Sequence, residues 1–185
     1  MKHAFYAATI ACLTTLPAHA DPFVEALETA IAAYQDGDFQ YAEDELAQAQ
    51  RLLGELKAQG LANFLPPAPD GWTRELDTEG SQMMGFMGGG TMAKAVYSGD
   101  AGRFELTLMA DNPMVAQLGM MLGNSTMIAQ MGGQVERIGR VRFLREDQSL
   151  KAIVANRILV QAEGADADVM IPLLEQIDFR AMENF

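Results

Sequence analysis

Methionine is the side chain in this sequence whose chemistry stands out first. Ten of the 13 methionines lie between residues 83 and 131. Four of them, Met83, Met84, Met87 and Met92, share one stretch with four glycines. Thioether sulfur is a soft ligand suited to Cu(I) and Ag(I), and glycine lets a loop close around an ion. The stretch is therefore expected to be ordinary structure, because Met often fills gaps in cores, or an apolar contact loop. A metal site at these four methionines is the alternative interpretation.

Basic side chains are concentrated in residues 134–157, which carry six of them against three acidic ones. The pattern predicts a single strand over residues 135–145, with Gly139 as a bulge. The strand period of two then places Arg140 and Arg142 on one face. Together with Arg145 they form a predicted partner-binding strip for an acidic protein or another anionic ligand. The alternatives are a solvated sheet face and an internal contact with residues 21–60, whose net charge is −7.

The N-terminus has the pattern of a secretory signal peptide, with a basic start, an apolar run over residues 4–16 and Ala18-His19-Ala20 before the cleavage site. We expect cleavage after Ala20 and a periplasmic location. Cleavage removes both histidines and the single cysteine, Cys12. The mature chain then offers no thiolate nucleophile, no His base and no zinc site of the usual kind. It also contains no Ser-x-x-Lys motif, so we predict that it is not an enzyme and has no cofactor.

Net charge narrows the classes of partner. Without Lys2 the chain has 12 basic and 25 acidic side chains, a net charge of −13. This balance argues against nucleic acid, whose binding depends on neutralising phosphates, and against anionic lipid surfaces. No stretch after the signal peptide reaches the ~20 apolar residues that span a bilayer. We therefore expect no transmembrane segment after signal cleavage.

The chain divides by pattern into four parts: a signal peptide over 1–20, a helical hairpin over 21–60, a Pro-rich linker over 61–73 and an α+β domain over 74–185. Apolar residues recur at helical spacing on both sides of Asp36-Gly37-Asp38, which predicts two antiparallel helices. Pro66, Pro67 and Pro69 favour an extended linker. Trp72 is expected to anchor the start of the following domain, with ligand stacking as the alternative.

In the last part, Phe104, Leu106 and Leu108 alternate with polar residues and predict a strand. The order of elements is strand, strand, helix, two or three strands, helix. Strands in hairpins with helices between them indicate a mainly antiparallel sheet with two helices packed on one face. The fold class is therefore α+β.

Small and aromatic residues in the hairpin follow a known spacing: Ala30, Tyr34, Gly37-Asp38-Phe39, Ala42, Leu46 and Ala49. This spacing resembles one tetratricopeptide repeat. The run from Leu65-Pro66 to Gly71-Trp72 resembles the lead-in of uncharacterised secreted bacterial proteins. Solenoids need several repeats to bury a continuous core, and this chain has one. The resemblance therefore implies a two-helix element that packs on its own domain or on another copy, without the peptide groove of a repeat array.

These features together predict a non-enzymatic periplasmic binding or interaction module whose partner is an unknown periplasmic protein. The alternative is a Met-based Cu(I) or Ag(I) carrier that uses Met83, Met84, Met87 and Met92. The two differ in class, because an interaction module holds a protein and a carrier takes up a metal ion under reducing conditions.

Overall fold

The computed structural model describes residues 21–77, 89–122 and 133–185. The predicted signal peptide, over residues 1–20, lies outside the described residues. The chain forms two compact units, one ending at Ala49 and the other comprising Gln50–Phe185. The boundary falls inside the second helix.

Two helices, α1 (Pro22–Asp36) and α2 (Phe39–Ala62), open the described chain. The Asp21 carboxylate accepts a hydrogen bond from the Phe23 amide at 2.9 Å, which caps α1. Gly37, at φ 80°, ends α1 in the left-handed conformation that glycine favours. The Asp38 carboxylate then accepts from the Tyr41 amide at 3.2 Å and caps α2. The two predicted N-terminal helices are confirmed.

The second unit contains one antiparallel sheet, and its described strands run in the order β1-β2-β3-β7-β6-β5-β4. Their bounds are β1 Trp72–Asp77, β2 Thr91–Gly99, β3 Gly102–Ala110, β4 Gln134–Ile138, β5 Val141–Glu146, β6 Ser149–Val154 and β7 Ile158–Glu163. The described residues of this unit also form helices α3 (Pro113–Leu122), α4 (Ala167–Leu174) and α5 (Phe179–Met182). The predicted α+β class is therefore confirmed.

The main core lies between one face of the sheet and helices α4 and α5. Alternate residues of β3, including Leu106 and Leu108, are fully buried there, as are Leu174 of α4 and Met182 of α5. Leu61, near the end of α2, belongs to the same core. This burial explains why the last part of α2 belongs to the second unit. Helix α3 packs against β6.

The predicted single strand over residues 135–145 is wrong. The chain reverses at Gly139-Arg140, and β4 pairs with β5 as an antiparallel hairpin. Gly139 has φ 58°, a conformation that two-residue hairpin turns require and that glycine adopts at little cost. The glycine therefore marks a turn and not a bulge.

Strand β1 was not predicted from the sequence. Its four central residues are exposed, so it lacks the alternation of apolar and polar residues that reveals a half-buried strand. It exists because β2 offers an edge, to which Trp72 pairs opposite Gly99 and Asp77 opposite Lys94. Long-range pairing with β2 determines this strand.

The Pro-rich segment before β1 is held by the sheet. The buried Tyr97 hydroxyl donates a hydrogen bond to the Pro66 carbonyl at 2.7 Å. The Arg74 guanidinium donates to the same carbonyl at 3.0 Å and to that of Leu65 at 2.9 Å. Burial raises the pKa of Tyr97 to about 12, against the opposing effect of the Arg74 charge. The segment is therefore anchored to β1 and β2 at Pro66.

Candidate functional site

The interior of the hairpin within the first unit is made of alanine. The buried residues in the range 21–49 are Ala26, Ala30, Ala33, Ala42 and Ala49. A methyl side chain buries little apolar area, and none of the large apolar side chains of residues 21–49 is fully buried beside these alanines.

Most of the large apolar side chains of residues 21–49 are exposed, while Phe23 and Leu27 are half-buried. Ile31, Tyr34 and Phe39 are 58%, 66% and 62% exposed, and Val24 and Leu46 are exposed as well. The rings of Tyr34 and Phe39 touch across the turn with their centroids 5.7 Å apart. Val24 and Ile31 are seven residues apart on α1, as are Phe39 and Leu46 on α2, so each pair shares one side of its helix. We call these five residues the hairpin surface.

Negative charge borders the hairpin surface. Residues 21–49 contain eight acidic side chains and no basic one. Glu28 follows Val24 by four positions and precedes Ile31 by three, so it is a helical neighbour of both. Glu43 stands in the same relation to Phe39 and Leu46. Both glutamates are exposed, so the apolar surface carries carboxylates along its border.

The structure separates the three arginines of the predicted basic strip. Arg140 lies in the turn between β4 and β5, outside both strands. Arg142 and Arg145 are three residues apart on β5, which places them on opposite faces of the sheet. The guanidinium of Arg145 lies 3.7 Å from a carboxylate oxygen of Glu136 and 3.9 Å from one of Asp168. The prediction that Arg140 and Arg142 share a strand face is therefore wrong.

A different group of arginines comes together at this hairpin. Arg142 pairs in register with Arg137 of β4, and both are exposed near the turn that contains Arg140. Among the described residues, no ion pair involves these three arginines. Like charges directly opposite each other on neighbouring strands are destabilising. The pairing of Arg137 with Arg142 therefore lowers the stability of the hairpin, and the fold does not require it. Gly139-Arg140 between the apolar residues Ile138 and Val141 is the sequence signal of a two-residue hairpin turn. Read in this way, it would have placed Arg137 opposite Arg142. A partner-binding role stays a prediction.

The predicted metal site lies mostly outside the described residues. Of its four methionines, Met83, Met84 and Met87 fall in the undescribed range 78–88, and Met92 lies on β2. Met92 pairs in register with Met109 of β3, a second thioether that sequence reasoning did not include. Within residues 21–77, 89–122 and 133–185, no group of three or more His, Cys, Asp or Glu residues is arranged to hold a metal. The Cu(I) or Ag(I) site stays a prediction.

An apolar cleft of about 290 Å³ opens beside β1 and α4. Trp72 and Phe104 form part of its wall, with Val169 and Leu173 of α4, and Asp168 supplies a carboxylate at its edge. Trp72 meets Phe104 edge to face, with ring centroids 5.6 Å apart. The cleft is smaller than most small-molecule sites, which occupy about 300–1,000 Å³, and Asp168 lies near Arg145. In the second unit Trp72 packs against the main core, as expected for an anchor.

A charged junction ties the C-terminus of the chain to β3. Arg157 donates two hydrogen bonds to the Asp111 carboxylate, each at 2.9 Å, and one to the Phe185 carbonyl. The Lys57 ammonium lies 3.0 Å from the same carboxylate. Burial raises the pKa of Asp111, but the hydrogen bonds from Lys57 and Arg157 outweigh it and hold the pKa below its usual value. The ionised carboxylate therefore stabilises the fold.

We expect Asp111→Asn to lower the free energy of unfolding at pH 7 by about 1 kcal/mol, because the junction is partly exposed. Asn tolerates the left-handed backbone of this position, at φ 58°. The pKa of Asp111 in the folded state is below its unfolded value of about 3.9. The stabilisation from the ionised carboxylate is therefore fully present above about pH 3.9 and is lost as the pH falls through the folded pKa. Urea unfolding from pH 7 to pH 2 measures both effects.

Asp147→Asn is the matched control, because Asp147 also has positive φ and forms no ion pair among the described residues. It should leave the acid profile of the wild type unchanged. If Asp111→Asn also keeps the wild-type profile, the junction does not contribute as described.

Within the part of the chain that the structure describes, no helix is both long and apolar enough to cross a membrane. No protein family, curated protein or solved structure was found to match this chain.

Proposed function

We propose that this chain is a non-enzymatic periplasmic interaction module that binds a protein partner through the hairpin surface. The observation that carries the proposal is the exposure of Ile31, Tyr34 and Phe39 around the turn of the hairpin. Contiguous exposed apolar side chains rimmed by polar residues mark interaction sites in water-exposed proteins. The signal-peptide pattern of residues 1–20 supports the periplasmic location.

The composition of the surface suits an interface. Aromatic side chains give large contact areas at a modest cost in conformational entropy, and Tyr is enriched among the residues that contribute most to binding. Tyr34 and Phe39 already contact each other, so part of their freedom is restricted before a partner arrives. Full burial of an apolar side chain is worth about 1.5–3 kcal/mol. The surface therefore offers a compact group of anchors at the turn.

Replacing the anchors together tests the proposal. In the variant Ile31→Gln, Tyr34→Gln and Phe39→Gln, we expect the helices to persist, because all three side chains are exposed and Gln favours helix. Crosslinking of the full protein in a periplasmic extract should give a discrete adduct for the wild type. The yield should fall about ten-fold or more in the triple variant, because each lost anchor costs about 1 kcal/mol or more.

Leu76→Gln is the control, since Leu76 is an apolar residue of β1 that is 44% exposed outside the hairpin. It should keep the wild-type yield. Circular dichroism shows whether each variant remains helical. An adduct that forms equally well with the folded triple variant would contradict the proposal.

A further inference from the structure

We infer that the hairpin surface binds a cationic amphipathic helix of the partner protein. The inference rests on the proposed function and adds the chemistry of the partner. It follows from two independent properties of residues 21–49: their charge and the arrangement of their exposed apolar side chains.

All charged side chains of residues 21–49 are acidic. These eight acidic side chains face no basic residue within the same range, and Glu28 and Glu43 border the apolar side chains as helical neighbours. A partner that buries Ile31 or Phe39 must approach these carboxylates closely. Lys or Arg beside its own apolar residues would gain from that approach, and acidic residues would be repelled. The charge therefore selects a basic partner.

The same charge disfavours a second copy of the hairpin as the occupant. Two copies would bring sixteen acidic side chains together without one basic residue from either range 21–49. Like-charge contact across an interface costs several kcal/mol. A self-associated hairpin would also place Glu28 and Glu43 of each copy against the other surface. Heterologous binding avoids this repulsion.

The arrangement of the apolar residues selects a helix. One side of α1 carries Val24, Ile31 and Tyr34, which are spaced seven and three residues apart. One side of α2 carries Phe39 and Leu46, which are seven residues apart. The ring contact between Tyr34 and Phe39 joins the two series at the turn. A third helix laid along the pair would contact both series, as in helical bundles and in grooves that bind amphipathic helices. The described residues 21–49 contain no strand edge to which an extended peptide could add.

A synthetic peptide pair provides a defined probe. The first peptide, of about 18 residues or five helical turns, carries Leu at i, i+3, i+4 and i+7 positions and Lys elsewhere. The second replaces every Lys with Glu. Fluorescence anisotropy with the full mature chain should show binding of the Lys peptide and at least ten-fold weaker binding of the Glu peptide. Affinity for the Lys peptide should fall about ten-fold or more towards 1 M salt, where the Debye length is about 3 Å.

Two variants separate specific docking from general attraction to an acidic protein. The triple variant Ile31→Gln, Tyr34→Gln and Phe39→Gln keeps every charge and should lose at least ten-fold in affinity for the Lys peptide. Glu28→Gln with Glu43→Gln should weaken binding several-fold and reduce its salt dependence. The matched control, Asp147→Asn with Glu183→Gln, removes the same charge from exposed positions of the second unit and should bind as the wild type does.

Each contrary result has a distinct meaning. Equal affinity of the wild type and the triple variant for the Lys peptide overturns the inference, because attraction would then depend on net charge alone. Absence of Lys-peptide binding, with a periplasmic adduct that still requires Ile31, Tyr34 and Phe39, overturns the inference and leaves the proposed function standing. A concentration-dependent dimer that the triple variant abolishes identifies a second copy as the occupant and overturns the inference as well. An adduct independent of these residues contradicts the proposed function itself.

Discussion

Replacing Tyr97 with alanine is expected to lower the free energy of unfolding by about 3–5 kcal/mol, a cost typical of truncating a buried aromatic residue. Tyr97 is fully buried, and its ring stacks on Phe104 with centroids 5.2 Å apart. Its hydroxyl also holds the Pro66 carbonyl. The substitution therefore leaves a cavity in the core beside the sheet, and it also removes the hydrogen bond that holds the Pro-rich segment. Urea unfolding followed by circular dichroism measures the loss.

Tyr41→Ala is the control in the same residue type, because Tyr41 is exposed, and it should change the free energy of unfolding by no more than about 0.5 kcal/mol. Equal effects of the two substitutions would show that Tyr97 does not have the structural role described.

Tyr97 also predicts a loss of stability at alkaline pH. Its pKa is raised to about 12 in the folded state, against about 10 in the unfolded chain. Below pH 10 the phenol is neutral in both states, so its contribution is fully present. Between pH 10 and pH 12 the unfolded chain releases the proton first, and stability falls as the pH rises through the folded pKa. Tyr97→Phe should lack this component, so a constant difference between the two proteins over pH 9–12 would exclude it.

Gly99→Ala is expected to cost about 1–3 kcal/mol, because it overpacks a site that has no space for a methyl group. A Cβ atom at Gly99 would lie 2.5 Å from Cδ2 of Trp72 and 2.7 Å from its Cε2. The indole covers the glycine on the neighbouring strand, since Trp72 and Gly99 are partners in register. The indole must therefore shift away from residue 99. Because Trp72 is the single tryptophan, its fluorescence emission reports the displacement directly.

Gly54→Ala is the matched control. Among the described residues, no atom beyond the neighbouring helix backbone lies within 4 Å of a Cβ placed at Gly54. Gly54 is inside helix α2, so alanine should stabilise the chain by about 0.5–1 kcal/mol. The emission of Trp72 should not change. An unaltered emission spectrum in Gly99→Ala would mean that the indole does not cover this glycine.

Local patterns were sufficient for the parts of the fold that alternate or repeat. Phe104, Leu106 and Leu108 predicted a strand with one buried face, and Gly37 between two apolar series predicted the turn of the hairpin. These signals are reliable because backbone periodicity and glycine conformation act within a few residues. The same reasoning failed at Gly139, where a turn and a bulge use similar residues and only the pairing of β4 with β5 distinguishes them.

The sequence by itself determined the composition of the site: a mature chain without His or Cys if cleavage follows Ala20, an acidic range 21–49 without a basic residue, and apolar residues at helical spacing. Only the tertiary structure decided which of those apolar residues are buried. Periodicity reports that Ala30 and Ile31 belong to an amphipathic helix, but burial depends on the neighbouring element that covers each side chain. Ala30 is buried with four other alanines of residues 21–49, whereas Ile31, Tyr34 and Phe39 face solvent. Tertiary pairing likewise brought Arg137 to Arg142 and separated Arg145, because contacts between strands depend on register across the sheet and not on distance along the chain.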